Sequence, residues 1–225
     1  MTSVAILIPS CGQLGLVNLA RDAIARFTTD VQHDVFLLDH APWSEIGNEA
    51  NFKALFILRE AVMVPAYSHV FVMHDDALPL RLGWLAFLLS KKMPAAAMVS
   101  RRSGRGHSSG TLFESGMFAA MDLAPKMPEY DVAESIALGW GAPMLAWRLS
   151  AVMALGPMRN PSWMDAFDCD VSFDEAGQPF YTHLGGGTIG ADSLWAGSPA
   201  HRKRIETWIR AAREALGLGG PWVEG

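Results

Sequence analysis

Short apolar runs alternate with helical patterns through the first hundred residues. Val4-Ala5-Ile6-Leu7-Ile8, stopped by Pro9, is continuously apolar, as a strand buried on both faces of a parallel sheet must be. Leu16, Leu19, Ala20, Ala23, Ile24 and Phe27 recur at helical spacing over 14–27. The 34–38 run predicts a second buried strand ending at Asp39, and 48–62 a helix. His69–Met73 predicts a third strand, 82–92 a helix and 95–100 a fourth strand. Strands alternating with helices through short connections predict an α/β protein with a mostly parallel sheet.

Beyond Ser100 the pattern changes. Residues 101–110 are polar, rich in Gly and Ser, and carry Arg101, Arg102 and Arg105; they read as a solvent loop or as a cationic lid over a polyanion. Residues 143–147 predict a strand, 149–155 a short helix closed by Gly156-Pro157, and 178–183 a late strand before the Gly185-Gly186-Gly187 turn. The last helix is sharply bounded: Ser198 is placed to cap it, Pro199 opens it and Gly217 closes it. Ile205, Trp208, Ile209, Ala212 and Leu216 line its apolar face. Neither a linker nor an internal repeat interrupts the 225 residues, so one domain is expected.

Composition narrows the function classes. Half of the residues are apolar, which excludes a disordered chain. The net charge of −5 argues against a broad nucleic-acid surface, although not against a nucleic acid as substrate. Two cysteines, Cys11 and Cys169, make neither a disulfide framework nor a thiolate zinc site. No apolar run approaches the roughly 20 residues that span a bilayer. A cytoplasmic protein, soluble or peripherally bound to a membrane, is therefore expected. His201-Arg202-Lys203-Arg204 reads as a solvated helix face or as an anion-steering one.

In open parallel sheets ligands bind beyond the carboxyl ends of the strands. The predicted ends carry Pro9-Ser10, Asp39 and His74-Asp75-Asp76. Adjacent carboxylates repel each other unless a divalent cation or a solvated turn accommodates them, and both readings stand for Asp75-Asp76. His183 reads as a metal ligand or as a hydrogen-bonded structural residue. Asp165, Asp168 and Asp170 read as chemistry or as turn formers. Trp140 and Trp163 read as core packing or as aromatic stacking platforms.

The order of these segments resembles the GT-A glycosyltransferases, and among them family 2. The residues carrying the resemblance are Val4 to Ser10, Phe36-Leu37-Leu38-Asp39, Asn48-Glu49-Ala50-Asn51, Phe71 to Pro79 with its strand-end acidic motif, Arg148 to Pro157, Phe167-Asp168-Cys169-Asp170-Val171 as an acidic loop, and Tyr181-Thr182-His183. Together they cover most of positions 3–187. In two places the chain departs from the family pattern. His74 replaces the first Asp of Asp-x-Asp, and Cys169 stands where a Glu is frequent.

The resemblance implies a three-layer α/β/α sandwich. Its nucleotide-binding half covers about 1–100, its acceptor-binding half about 101–197, and its C-terminal helix 198–217. It implies transfer of a sugar, with inversion, from a nucleoside diphosphate sugar (a UDP-sugar foremost) to an acceptor hydroxyl. Asp76 and His183 would hold Mn²⁺ or Mg²⁺. Pro9, Ser10, Asp39, Asn51, Asp75 and Arg101 would contact the sugar nucleotide. Trp140, Gly141 and Trp163 would meet the acceptor, and Asp170 or Asp168 would take the hydroxyl proton. Two alternatives remain: a nucleotidyltransferase, and a carbohydrate-binding relative that has lost catalysis.

Overall fold

The structure is a computed structural model that describes residues 2–10, 14–39, 47–62, 66–91, 93, 95–100, 107–119, 170–184 and 199–219. Its elements, in chain order, are β1 (Ser3–Ser10), α1 (Leu14–Phe27), β2 (Gln32–Asp39), α2 (Gly47–Ala61), β3 (His69–Met73), β4 (Ala77–Pro79), α3 (Trp84–Leu89), β5 (Ala95–Ser100), β6 (His107–Glu114), α4 (Ser115–Ala119), β7 (Asp170–Phe173), β8 (Pro179–His183) and α5 (Pro199–Ala215). The predicted elements at 143–147 and 149–155, and the Gly185–Gly187 turn, lie outside the described residues.

A five-stranded sheet has the order β2-β1-β3-β6-β5. β1 runs parallel to both β2 and β3, whereas β6 is antiparallel to β3 and to β5. Four of the five strands therefore share one direction, and the protein is mixed α/β with a mostly parallel sheet, consistent with a Rossmann-like fold.

The continuous apolar run of β1 has a direct physical cause, since both of its faces are covered. Val4, Ile6 and Ile8 join a core with α1, α3 and α5, while Ala5 and Leu7 join a second core with α2 and α4. Phe71 and Met73 of β3 face the first core; Val70 and Val72 face the second. Residues Val4 to Ile8 are fully buried.

A smaller antiparallel sheet, β4-β8-β7, shares the first core through Ala77, Leu78, Val171, Phe180 and Tyr181. Pro199 begins α5 as predicted, and Gly217, with φ 64°, ends it. The Gly217 amide donates to the Glu214 carbonyl at 3.0 Å and the Leu218 amide to that of Arg213 at 2.9 Å. This pair of bonds is the Schellman ending, and it needs a residue tolerant of positive φ.

Four expectations are corrected. Residues 107–110 are not loop but the start of β6, because pairing on both sides with β3 and β5 supplies the ladder bonds that a polar, Gly-rich segment cannot encourage locally. β2 is not fully buried; among the described residues it pairs only with β1, so half its positions face outward and Leu37 is 38% exposed. The helix expected over 82–92 is confined to Trp84–Leu89, entered through Gly83 at φ 79°. Asp170 and Val171, expected in a loop, are the first residues of β7.

Candidate metal centre

The parallel course of β2, β1 and β3 brings their carboxyl ends to one edge of the sheet. There Ser10 of β1 stands in register with Asp39 of β2. Two strand spacings of about 4.8 Å separate β2 from β3, and β3 stops level with Ile8, two residues short of Asp39, so Asp39 is about 12 Å from where β3 stops. The Ser10 hydroxyl, almost fully buried, donates to Asp75 Oδ2 at 2.9 Å. That bond ties the β1 end to the segment leaving β3. Asp39 is exposed at the rim.

The chain leaves β3 at Met73, turns through His74-Asp75-Asp76 and enters β4. β4 pairs with β8 so that Ala77 is opposite His183. The Leu184 amide donates to the Asp76 carbonyl at 2.9 Å, fixing the turn against the end of β8. The side chains follow from this pairing. Asp76 Oδ1 lies 3.1 Å from His183 Nε2 and 3.9 Å from His74 Nδ1. The two imidazole rings meet edge to face, 5.4 Å between centroids at 80°. Asp76 is 6% exposed, His183 3%, and the His74 side chain 23%, so the cluster opens to solvent on the His74 side.

One donor atom from each of His74, Asp76 and His183 lies within 4.8 Å of the others. These distances can be set against metal chemistry. With metal–donor bonds of about 2.1 Å, donors at right angles stand about 3.0 Å apart and opposed donors about 4.2 Å. The observed 3.1 and 3.9 Å need only a slight contraction. Two imidazoles and one carboxylate suit a first-row divalent ion and leave coordination positions open for a ligand. The residues present therefore fit a bound cation. A buried carboxylate also requires a compensating charge or strong donors, which such an ion supplies. The Asp76 charge is felt below the cluster: burial first, and Asp76 second, push the Tyr181 phenol well above its usual range, so it stays protonated.

Asp170 stands directly across the ladder from His183, which in turn faces Ala77. The backbone thus puts Asp170 level with His183 alone of the three cluster residues. Pro9 is buried within β1, and Asn51 lies in α2. Asp168, Arg101, Trp140, Gly141 and Trp163 lie outside the described residues.

Sequence reasoning undervalued His74 by reading it as a lost aspartate. The overlooked signal was chemical: imidazole is itself a good ligand, so a His-x-Asp at a strand end together with a later strand-end His offers three donors that could hold a metal ion.

Among the described residues no helix is long and apolar enough to cross a membrane. One similar solved structure is a Drosophila β-1,4-galactosyltransferase 7 mutant in complex with manganese, UDP-Gal and xylobiose. It is 14% identical, with 54% of this chain and 52% of that chain covered and a TM-score of 0.39. A protein from STIV is 13% identical, with 61% and 76% covered and a TM-score of 0.33. This chain thus spans about half the length of the galactosyltransferase, and likenesses this remote carry no argument about activity. No protein family model matches the chain, and no curated protein matches it.

Proposed function

We propose that the protein is a metal-dependent glycosyltransferase that moves a sugar from a nucleoside diphosphate sugar to an acceptor hydroxyl, with inversion. The observation that carries this reading is the His74–Asp76–His183 donor set, formed where the segment leaving the carboxyl end of β3 meets the end of β8, on the same sheet edge as Ser10 and Asp39. The apolar clusters on both faces of the large sheet favour a three-layer GT-A architecture spanning positions 1–225. The order of the sequence motifs favours it as well.

In this reading His74, Asp76 and His183 hold the cation, which when bound offsets the charge of the diphosphate leaving group. Asp39, at the rim of the edge strand, accepts hydrogen bonds from the nucleoside. Pro9, Ser10, Asp75 and Asn51 contact the sugar nucleotide, and the Ser10 hydroxyl holds Asp75. Arg101 adds a cation toward the diphosphate. Trp140, Gly141 and Trp163 belong to the acceptor side. The acceptor oxygen attacks the anomeric carbon as the bond from that carbon to the diphosphate oxygen breaks. The nucleoside diphosphate leaves with the bonding electrons, and the hydroxyl proton passes to a carboxylate. Asp170 is the better candidate for that base, because its ladder position is level with His183; Asp168 is the other.

A panel of nucleoside diphosphate sugars, incubated with Mn²⁺ and pooled hydroxyl acceptors, tests the reading. Release of nucleoside diphosphate coupled to a new glycoside is expected, and Asp170→Asn should retain donor binding while losing transfer. Pyrophosphate release would indicate nucleotidyl transfer instead. Nucleotide binding without turnover would indicate a binding module.

A further inference from the structure

We propose that the protein forms a symmetric homodimer in which two β2 strands pair antiparallel about Phe36 and join the two large sheets into one. The inference concerns the outer edge of the sheet and does not rest on the transferase reading. Among the described residues β2 pairs only with β1, so its outer side offers a row of backbone donors and acceptors to another strand. Proteins blunt such an edge with lysine, proline, a bulge or a short strand. β2 has none of these: Gln32–Asp39 contains neither residue type, and its 8 residues keep an unbroken register with β1. β5, at the other end of the sheet, shows the contrast, because its ladder with β6 carries register shifts on both sides of Met98. Leu37, near the middle of β2, is 38% exposed.

The order of residues along β2 selects a second copy as the occupant. Positions 33, 35, 37 and 39 share the face toward α1, since Val35 and Leu37 are level with Ile6 and Ile8 of β1, which lie in the core with α1. A two-fold axis through the sheet keeps that face on the same side in both copies, so odd positions meet odd positions. Centred on Val35, the pairing would set His33 against the partner's Leu37; centred on Leu37, it would set Asp39 against the partner's Val35. Centred on Phe36, His33 meets the partner's Asp39 and Val35 meets the partner's Leu37, and both pairs recur across the axis. An apolar centre is then closed at each end by an imidazole–carboxylate pair, the complementarity that favours opposed side chains. His33 Nδ1 lies 2.9 Å from the Val31 carbonyl oxygen, which leaves Nε2 for the partner's carboxylate. On the other face Phe36 meets the partner's Phe36 on the axis. Asp34, which accepts from the Tyr67 hydroxyl at 2.9 Å, meets the partner's Leu38 and is the poorest pair. A groove of about 520 Å³ between α1 and β2, lined by Asn18, Arg21, Asp22, His33 and Val35 among others, gives the partner's side chains room on the first face. The partner's His33 then stands beside Asp39, at the sheet edge that carries the metal-type cluster.

Sedimentation equilibrium of the full chain tests the pairing. The wild type should dimerise at micromolar concentration, and Leu37→Lys should make it monomeric. His33→Asp sets two carboxylates against each other at both ends and should weaken the dimer about tenfold; adding Asp39→His should restore it. This pair of variants covers the case in which Leu37→Lys does not fold. Cysteine placement reads the register. Phe36→Cys puts the two substituted Cα atoms about 5 Å apart, within disulfide reach, so mild oxidation should link the copies. Gln32→Cys puts them about 27 Å apart and should give no linkage beyond the wild-type level set by Cys11 and Cys169. A wild type that stays monomeric at high micromolar concentration overturns the proposal and means that something other than a second copy covers β2. A dimer indifferent to both Leu37→Lys and His33→Asp, or one linked as well through Gln32→Cys as through Phe36→Cys, overturns it too.

Discussion

Replacing Gly110 by alanine puts a methyl carbon where three aromatic atoms already stand. A Cβ at this position of β6 would lie 2.5 Å from the Tyr181 hydroxyl oxygen, 2.7 Å from Phe71 Cζ and 2.9 Å from Tyr181 Cζ. Neither ring has room to retreat. Both are fully buried, and Trp84 packs on each, with centroids 5.0 Å from Phe71 and 5.8 Å from Tyr181. The strand cannot easily back away either, because Gly110 is paired to Met73 on one side and Met98 on the other. Overpacking of a tight core costs about 1–3 kcal/mol, and three simultaneous clashes argue for the upper end. For a protein of this size, about 3 kcal/mol lowers the melting temperature by about 6–12 °C. Thermal melts followed by circular dichroism would measure it. Tyr181→Phe removes the closest of the three atoms, so the alanine should cost less in that background, with a coupling of about 1 kcal/mol. A Gly110→Ala protein that melts with the wild type, or a double mutant whose losses simply add, would refute the reasoning.

Two further predictions concern stability. The Trp84 indole donates to the Thr28 hydroxyl at 2.9 Å in a fully buried setting, so Thr28→Val should cost about 1–3 kcal/mol while Thr28→Ser is tolerated; urea midpoints would show the contrast. Burial lowers the His69 pKa, with Glu114 pulling the other way. A lowered value means that the unfolded chain binds the proton first, so this contribution is intact above the ordinary range near 6.5 and is lost as acid takes the pH below it. Urea midpoints from pH 8 to 5 should fall on the acid side, and His69→Gln should flatten that part of the profile; parallel profiles would contradict the assignment.

Legibility in the sequence followed the locality of the signal. β1 could be read because covering both faces of a central strand demands an unbroken apolar run. The limits of α5 could be read because a proline start and a glycine stop act through their own backbone dihedrals. β6 could not, since Ser108, Ser109 and Gly110 resemble loop; only the neighbouring strands and the Tyr181 ring that needs the missing side chain make them strand. The outward exposure of β2 depends on where it lies in the sheet, which hydropathy does not encode. β4 and β7 are too short to announce themselves and exist by pairing with β8. At the site, the apolar strand before His183 was visible, but the grouping of His74 with Asp76 and His183 came from the turn after β3 meeting the end of β8. Sequence order alone cannot supply that contact.

The central claim is that two imidazoles and the Asp76 carboxylate share one cation. Pulsed electron paramagnetic resonance on the Mn²⁺-loaded protein addresses it directly, because ligand nitrogens couple to the electron spin. The account predicts one Mn²⁺ per chain with couplings from two imidazole nitrogens, one lost in His183→Gln and the other in His74→Gln, and no specific binding in Asp76→Ala. A bound ion with no nitrogen coupling, or Asp76→Ala protein that binds Mn²⁺ as the wild type does, would contradict it.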